Sequence, residues 1–268
     1  MLIKNDIIKN NSEIWEQRSI DYGSTLKSVL FQGMPDIANE HFHAIHLKFI
    51  LDCLDGEKNP IKILDIGCGY GRLSMPLIKR FPQAQIVGMD ISSNYVKLYR
   101  EKTGKEAYAG SIDAIPAESG NFDYIIVITV LMYLADNKLK EVFSGLFSHL
   151  NPGGKIIIIE PLKSGIKFQT CFGLTKLLKR ETRINTGGKC FFKDEIPAAI
   201  DQAGGFVIRE ECIPATTFFF ILIYLASKIL PKALTDVFLR WLSFIDSKLK
   251  NKKLPSLWSF YLVEKKSS

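Results

Sequence analysis

The sequence predicts an α/β fold: a seven-stranded, mostly parallel sheet, doubly wound, with helices on both faces. Two observations carry this expectation. From residue 61 onward short β-branched runs alternate with helical stretches, the pattern of a parallel sheet fed by crossover helices. The first of those runs leads directly into a glycine-rich turn that a helix follows. A length of 268 residues suits one large domain with insertions. Apolar residues at 47% and charged residues at 24% exclude a disordered or collagen-like chain.

The elements follow in order. Ile61 to Ile66 is the first strand, and Gly71 to Arg80 the first helix after it. Pro76 sits inside that helix, so a kink or a late start is expected. Strand Gln85 to Asp90 and helix Ser93 to Lys102 come next, then the short strand Glu106 to Ala109 and the apolar strand Phe122 to Ile128. Helix Asn137 to Leu150 precedes strand Lys155 to Glu160. Helix Asp194 to Ala203 is stopped by Gly204 and Gly205, and strands Phe206 to Ile213 and Leu257 to Glu264 close the series. Ahead of the first strand lies a helical region, strongest over Asp36 to Leu54. The expected division is an N-terminal helical cap over residues 1–56 and a main domain over 57–268, with insertions at 161–193 and 214–256.

The longest largely apolar run, Ile213 to Ser227, is closed by Lys228 and falls short of the roughly 18 to 20 residues a membrane-spanning helix needs. Residues Met1 to Asn11 show no continuous apolar core of a signal peptide. A cytoplasmic protein is expected. The five cysteines are odd in number and contain no C-x-x-C pair, which argues against a disulfide framework, a zinc ribbon or an iron–sulfur cluster. The net charge of +7 is uneven. Residues 1–160 hold 17 Lys and Arg against 19 Asp and Glu, a net −2, while residues 161–268 hold 18 against 9, a net +9.

The turn after the first strand reads Asp65-Ile66-Gly67-Cys68-Gly69-Tyr70-Gly71. Glycines there allow positive φ and close approach of a ligand to the backbone. The dinucleotide fingerprint needs a glycine at position 72, where this chain has Arg, and no Gly-Lys-Ser/Thr makes a P-loop. Asp65 at the mouth of the turn would repel a pyrophosphate and attract an ammonium group. Asp90 ends the second strand, where an acid can accept both hydroxyls of a ribose. Asp113 follows the third, where an acid can accept from an exocyclic adenine amine. Three acids closing three consecutive strands suit a ligand with an ammonium, a ribose and an adenine and no phosphate, as S-adenosylmethionine has.

With these residues the chain resembles the class I S-adenosylmethionine-dependent methyltransferases. The resemblance rests on Ile63 to Gly71, Val87 to Ser92, Ser111-Ile112-Asp113, Phe122 to Ile126 and Leu150-Asn151-Pro152-Gly153-Gly154-Lys155, in family order over residues 61–160. It implies a Rossmann-like sheet whose last strand is antiparallel, and S-adenosyl-L-methionine as cofactor. It further implies that Asp65 and Gly67 face the methionine end, with Cys68 and Gly69 completing the turn. Asp90 would take the ribose; Ile91, Ile112 and Asp113 the adenine. Thr129 would offer its backbone carbonyl to the amino group. Near the N-terminus, Ile14 to Arg18 and Tyr22 resemble a pattern that closes over the cofactor in small-molecule members, with Tyr22 preferred as the lid.

Methyl transfer needs little covalent help, since alignment alone contributes roughly 7 to 11 kcal/mol. A hydroxyl acceptor would gain from a base. Candidates are His43 and His46, three apart on the helix before the sheet, with His41 beside them, and Tyr133 beyond the fourth strand; His149 is the weakest. No third ligand accompanies His43 and His46, so no metal site is expected. The stretch Thr129 to Tyr133 lacks the Asp/Asn-Pro-Pro-aromatic motif of base methylators, so nucleic acid is not the expected partner. Both insertions leave from carboxyl ends of strands and are expected to roof the acceptor site. The second holds Phe218 to Leu225 and, at helical spacing, Val237, Phe238, Trp241, Leu242, Phe244 and Ile245, interleaved with basic residues. A hydrophobic small molecule or lipid is the expected acceptor, with peripheral membrane contact through 214–253. An RNA methyltransferase using the basic C-terminal part and a non-catalytic cofactor-binding protein are the alternatives.

Overall fold

The computed structural model describes residues 2–57, 60–116, 120–135, 137–163, 188–249 and 254–266, with side chains from residue 11 onward. The N-terminal part comprises α1 (Leu2–Tyr22), α2 (Leu26–Val29) and α3 (Asp36–Leu54). The sheet is built from β1 (Lys62–Ile66), β2 (Gln85–Asp90), β3 (Ala107–Ala109), β4 (Phe122–Ile128), β5 (Leu150–Pro161), β6 (Gly205–Cys212) and β7 (Trp258–Lys265). Between them run α4 (Ser74–Arg80), α5 (Ser93–Thr103), α6 (Leu139–Ser148) and α7 (Glu195–Gln202). The second insertion folds as α8 (Pro214–Phe218), α9 (Phe220–Ile229) and α10 (Lys232–Leu249).

Strand order is β3-β2-β1-β4-β5-β7-β6. Strands β1 to β5 pair in parallel, and β7 runs antiparallel to both β5 and β6. From β1 the chain winds outward through β2 and β3, then returns to β4 on the other side. The crevice at the carboxyl ends of β1 and β4 is thereby opened, where an open α/β sheet binds its ligand.

Both faces of the central strands are buried, which is why they read as unbroken apolar runs. Alternate residues serve two cores. Ile63, Ile126, Ile157 and Ile159 face α3, α4 and the second insertion, while Leu64, Ile125, Ile156 and Ile158 face α6 and α7. Helix α4 starts late, at Ser74, and so accommodates Pro76 in its first turn. Strand β5 begins at Leu150, earlier than the sequence suggested. A register shift between Phe122 and Tyr124 lets Leu150 pair with Phe122 before the regular ladder starts at Lys155.

The second insertion is fastened to the protein's own core. The Asp246 carboxylate accepts from the backbone N–H groups of Ala215 (2.7 Å) and Thr216 (3.0 Å) and from the Thr216 hydroxyl (2.6 Å), tying α10 to the start of α8. Phe220 packs on Phe31 and Phe42, with ring centroids 5.8 and 6.0 Å apart. Of the first insertion only the ends are described. Lys189 N–H donates to the Met132 carbonyl at 2.9 Å, beside the turn that follows β4. Residues 164–187, on which the rest of its expected roof falls, lie outside the described residues.

Candidate functional site

A cavity of about 1160 Å³, its open mouth included, lies at the crevice. Its walls come from the carboxyl ends of β1 (Asp65 to Gly69), β2 (Asp90, Ile91) and β4 (Ile128 to Val130), and from Ile112 and Asp113 after β3. Tyr133 and, from the N-terminal helices, Asn11, Trp15 and Val29 complete it.

The N–H groups of Gly67, Cys68, Gly69 and Gly71 are all engaged within the protein. The N–H groups of Gly67 and Cys68 both go to the Met89 carbonyl, at 2.7 and 3.1 Å. The N–H of Gly69 goes to Asp90 Oδ2 at 2.8 Å, and that of Gly71 to the Cys68 carbonyl. A phosphate needs such groups free. This loop therefore favours a ligand that approaches closely without a pyrophosphate. Close approach is built in: Gly67 has φ +70° and Gly69 φ +53°, and a Cβ on Gly67 would stand 2.4 Å from Val130 Cγ2.

Two acids are buried at the base of the cavity. Asp65 accepts from the Ser74 hydroxyl at 2.6 Å, and Ser74 in turn accepts from the Tyr99 hydroxyl at 3.0 Å. Burial pushes the Asp65 carboxyl up to about 6, opposed by the Ser74 bond and by Arg72. Asp90 accepts from Gly69 and, at Oδ1, from the Ser92 N–H at 3.0 Å. Burial raises it to about 6 as well, against those backbone bonds. Both are positioned to ionise fully when a cationic ligand arrives.

At another wall of the cavity, β4 leaves the sheet through Thr129, the one non-glycine residue with positive φ (+56°) among the described residues. Its N–H is anchored to the Ile159 carbonyl at 2.8 Å. A β-branched residue in that region is strained and persists where its surroundings impose it. The imposing group is Glu160 at the end of β5. Its carboxylate, fully buried, accepts from the N–H groups of Val130 (2.8 Å), Leu131 (2.7 Å) and Met132 (3.3 Å). It thus caps the 3-10 turn Leu131–Tyr133 that carries Tyr133 to the cavity. Burial pushes the Glu160 carboxyl up to about 8.

Helix α1 closes the cavity from above. Glu16 accepts from the Ser92 hydroxyl (2.6 Å) and the Asn94 N–H (3.2 Å), docking α1 on the start of α5. Asn11 Nδ2 donates to the Tyr133 carbonyl at 3.2 Å, and Trp15 meets the Tyr133 ring edge-on with centroids 5.4 Å apart.

Of the residues singled out from the sequence, Asp65, Gly67, Cys68, Gly69, Asp90, Ile91, Ile112, Asp113, Thr129 and Tyr133 all line this cavity. Tyr22 does not. It sits seven residues beyond Trp15, roughly 10 Å further along the helix, and is 36% exposed. Trp15 takes the place expected of it. His43 and His46 also fall outside the lining. His43 Nδ1 accepts from Arg72 Nη1 at 3.1 Å, and burial and the Arg72 charge push it down to about 4, so its lone pair is already used. His46 is fully buried against Trp258 at 4.9 Å, with neither ring nitrogen hydrogen-bonded, and is held neutral. His41 binds Thr216 Oγ1 at 3.3 Å, a packing contact with the second insertion. No described residue of 214–256 lines the cavity, so the roof expected of that insertion is not found there: its inner face is taken up by α3. Arg72, Asn11 and Glu160 were not anticipated. Glu160 is an acid closing a strand, the same signal that marks Asp65 and Asp90.

A family profile described as a methyltransferase domain matches residues 63–154. Over that segment, about a third of its length, the chain is similar to a methyltransferase domain. Over 100 residues, 36% of the chain, it is 31% identical to a malonyl-[acyl-carrier protein] O-methyltransferase of Priestia megaterium, covering 35% of that protein. It is also 31% identical over 114 residues to a demethylmenaquinone methyltransferase of Lactococcus lactis, covering 39% of this chain and 44% of that one. The chain spans a third to a half of the length of the curated relatives it matches. Magnesium protoporphyrin IX methyltransferase from Synechocystis, solved with S-adenosylmethionine, shares the fold at TM-score 0.56 and 16% identity, over 76% of this chain and 88% of that one. Geranyl diphosphate C-methyltransferase from Streptomyces coelicolor does so at TM-score 0.59 and 12% identity, over 85% and 80%. The profile of the methyltransferase domain begins at β1 and ends in β5, so it spans the glycine turn and all three acids; Trp15 and Glu160 lie outside it.

Proposed function

We propose that this protein is a methyltransferase that binds S-adenosyl-L-methionine in the cavity and acts on a hydrophobic small molecule or lipid, on oxygen or nitrogen. The observation that carries the reading is the convergence of Asp65, Asp90 and Asp113 around a turn whose three glycine N–H groups are already bonded. When bound, the cofactor supplies an electrophilic methyl group on a sulfonium. Asp65 holds its ammonium together with the Thr129 carbonyl, Asp90 the ribose hydroxyls, and Ile91, Ile112 and Asp113 the adenine. Arg72 is buried at the cavity wall, with no carboxylate in ion-pair range among the described residues, and suits the carboxylate of the methionine end. Residues 1–56 act as the cap, with Trp15 as its closing side chain.

With His43 and His46 turned away, Tyr133 is the remaining candidate to touch the acceptor. Trp15, Val29, Val130 and Leu134 give that end of the cavity its apolar wall. The relatives named for demethylmenaquinone and geranyl diphosphate support an apolar acceptor. No helix among the described residues is long and apolar enough to cross a membrane, and contact with a membrane surface through 214–253 completes the reading. The test is transfer of radiolabelled methyl into a cell extract, partitioned into organic, aqueous and nucleic-acid fractions. Label in the organic fraction is expected. Label confined to nucleic acid would overturn the acceptor class, and no label in any fraction the activity.

The raised acids make the binding step pH-dependent in a definite direction. A cationic cofactor binds the ionised carboxylates, so affinity should be full above about pH 7 and fall as pH drops through about 6, by up to about tenfold per unit for each group. Apoprotein stability has the opposite sign. A carboxyl raised on folding contributes stability below its unfolded value near 3.8, and that contribution is lost as pH rises through about 6. The rise in Tm on adding cofactor should therefore be larger at pH 7.5 than at pH 5.5. A pH-independent rise in scanning fluorimetry would remove both acids from the binding site.

A further inference from the structure

Eleven of the sixteen large apolar side chains that the described residues expose lie between Phe218 and Leu254. They form rows. From the last residue of α8 through α9, Phe218, Ile221, Leu222, Leu225 and Ile229 share one face at helical spacing; on α10, Leu234, Val237, Trp241 and Phe244 share another. The opposite faces are spent on the core, where Ile223, Leu239 and Leu242 are 0 to 3% exposed. A helix that covers a core needs one apolar face. These two have a second, turned to solvent, and an exposed apolar surface of this extent marks an interaction site.

Charge decides the partner. Residues 214–256 hold seven Lys and Arg against two Asp, so they carry five of the seven net positive charges of the chain. Asp246 is buried on Ala215 and Thr216, and Asp236 is paired with Arg240 at 2.7 Å. Lys228 lies next to the α9 row over the Tyr224 ring, Lys248 continues the α10 row over Phe244, and Lys232, 3.8 Å from Glu40, opens α10. A second copy of the chain would bring this positive surface against itself. An anionic bilayer complements it, and lysines beside Trp and Phe on a helix that cannot span are the composition of an interfacial helix.

We propose that the outward rows of α9 and α10 dock the protein on an anionic lipid surface, both helices lying in the interface. The inference deepens the acceptor reading, since an apolar acceptor dissolved in a membrane would be met there, but docking is measured without turnover.

The experiment is co-sedimentation of the full chain with vesicles of phosphatidylglycerol and phosphatidylcholine, or of phosphatidylcholine alone, in low and high salt. Cofactor affinity is measured in parallel by calorimetry. Partitioning is expected to be about tenfold or more stronger on the anionic vesicles and to weaken in high salt. It should be lost in the double variant Leu234→Glu, Val237→Glu, whose side chains are 57 and 65% exposed and whose cofactor affinity should be unchanged. Salt dependence of the unmodified protein gives a readout that does not rely on the variant. No sedimentation with anionic vesicles at low salt overturns the proposal, as does equal binding to both vesicle types. A dimer in analytical ultracentrifugation that the double variant abolishes, without vesicle binding, would assign the face to a second copy. Lost docking with cofactor binding intact leaves the methyltransferase reading standing; intact docking with no cofactor binding overturns that reading alone.

Discussion

Asp90→Ala is expected to weaken S-adenosylmethionine binding by roughly tenfold or more. Hydrogen bonds to a charged group contribute about 1.5 to 3 kcal/mol each, and 1.4 kcal/mol is tenfold in affinity. The carboxylate has two duties. It would receive the ribose hydroxyls, and it already receives the N–H groups of Gly69 and Ser92, at 2.8 and 3.0 Å, which hold the glycine turn against the start of α5. Alanine removes the ligand contact and leaves the Gly69 N–H, buried at the turn, without its partner. The loss should therefore exceed that of a residue touching the ribose alone. Calorimetric titration reads it directly, and unchanged affinity would mean that the cavity does not hold the cofactor through β2. Asp90→Asn separates the two duties. Its amide oxygen can keep one backbone bond while the charge is gone, so it should retain more of the fold's stability than alanine does and still bind poorly.

What could be read in advance was what depends on position along a strand. An acid at or just past the end of a parallel strand lies at the crevice whatever packs around it, so the placing of Asp65, Asp90 and Asp113 was legible from the strand pattern. The Tyr133 position followed from the end of β4, and the role of Thr129 came from the family resemblance. Residues outside the sheet were harder because their roles depend on which face the tertiary structure covers. His43 and His46 share a helical face by spacing, yet α3 is buried over much of its circumference, and one of them meets Arg72 while the other meets Trp258. Spacing cannot distinguish a cavity from a core. Trp15 and Tyr22 lie two turns apart on one helix, and the bonds of Glu16 to Ser92 and Asn94 decide which of them arrives over the cavity. The apolar periodicity of α9 and α10 was plain, but two apolar faces superpose in a sequence. Only packing on Phe31 and Phe42 tells the inner face from the outer.

Gly67→Ala should damage the protein through the backbone rather than through a lost contact. At φ +70° an L-residue costs about 1 to 2 kcal/mol, and the new methyl would stand 2.4 Å from Val130 Cγ2. Val130 is poorly able to yield, because its N–H is held at 2.8 Å by Glu160 and the strained Thr129 precedes it. Forcing a methyl into such a site costs a further ~1 to 3 kcal/mol. With each kcal/mol worth about 2 to 4 °C in a domain of this size, Tm should fall by roughly 4 to 20 °C. Cofactor binding should be lost with it, since the turn and Val130, which faces it in the cavity wall, would be pushed apart. The pair Gly67→Ala, Val130→Ala tests the cause. Removing the Val130 methyls relieves the collision but not the positive φ, so the double variant should recover part of the Tm and leave the remainder. Full recovery would show that only the collision matters at Gly67, and no recovery that the backbone conformation alone does. A Tm for Gly67→Ala within 1 or 2 °C of the unmodified protein would mean that the turn is not held against Val130 in solution.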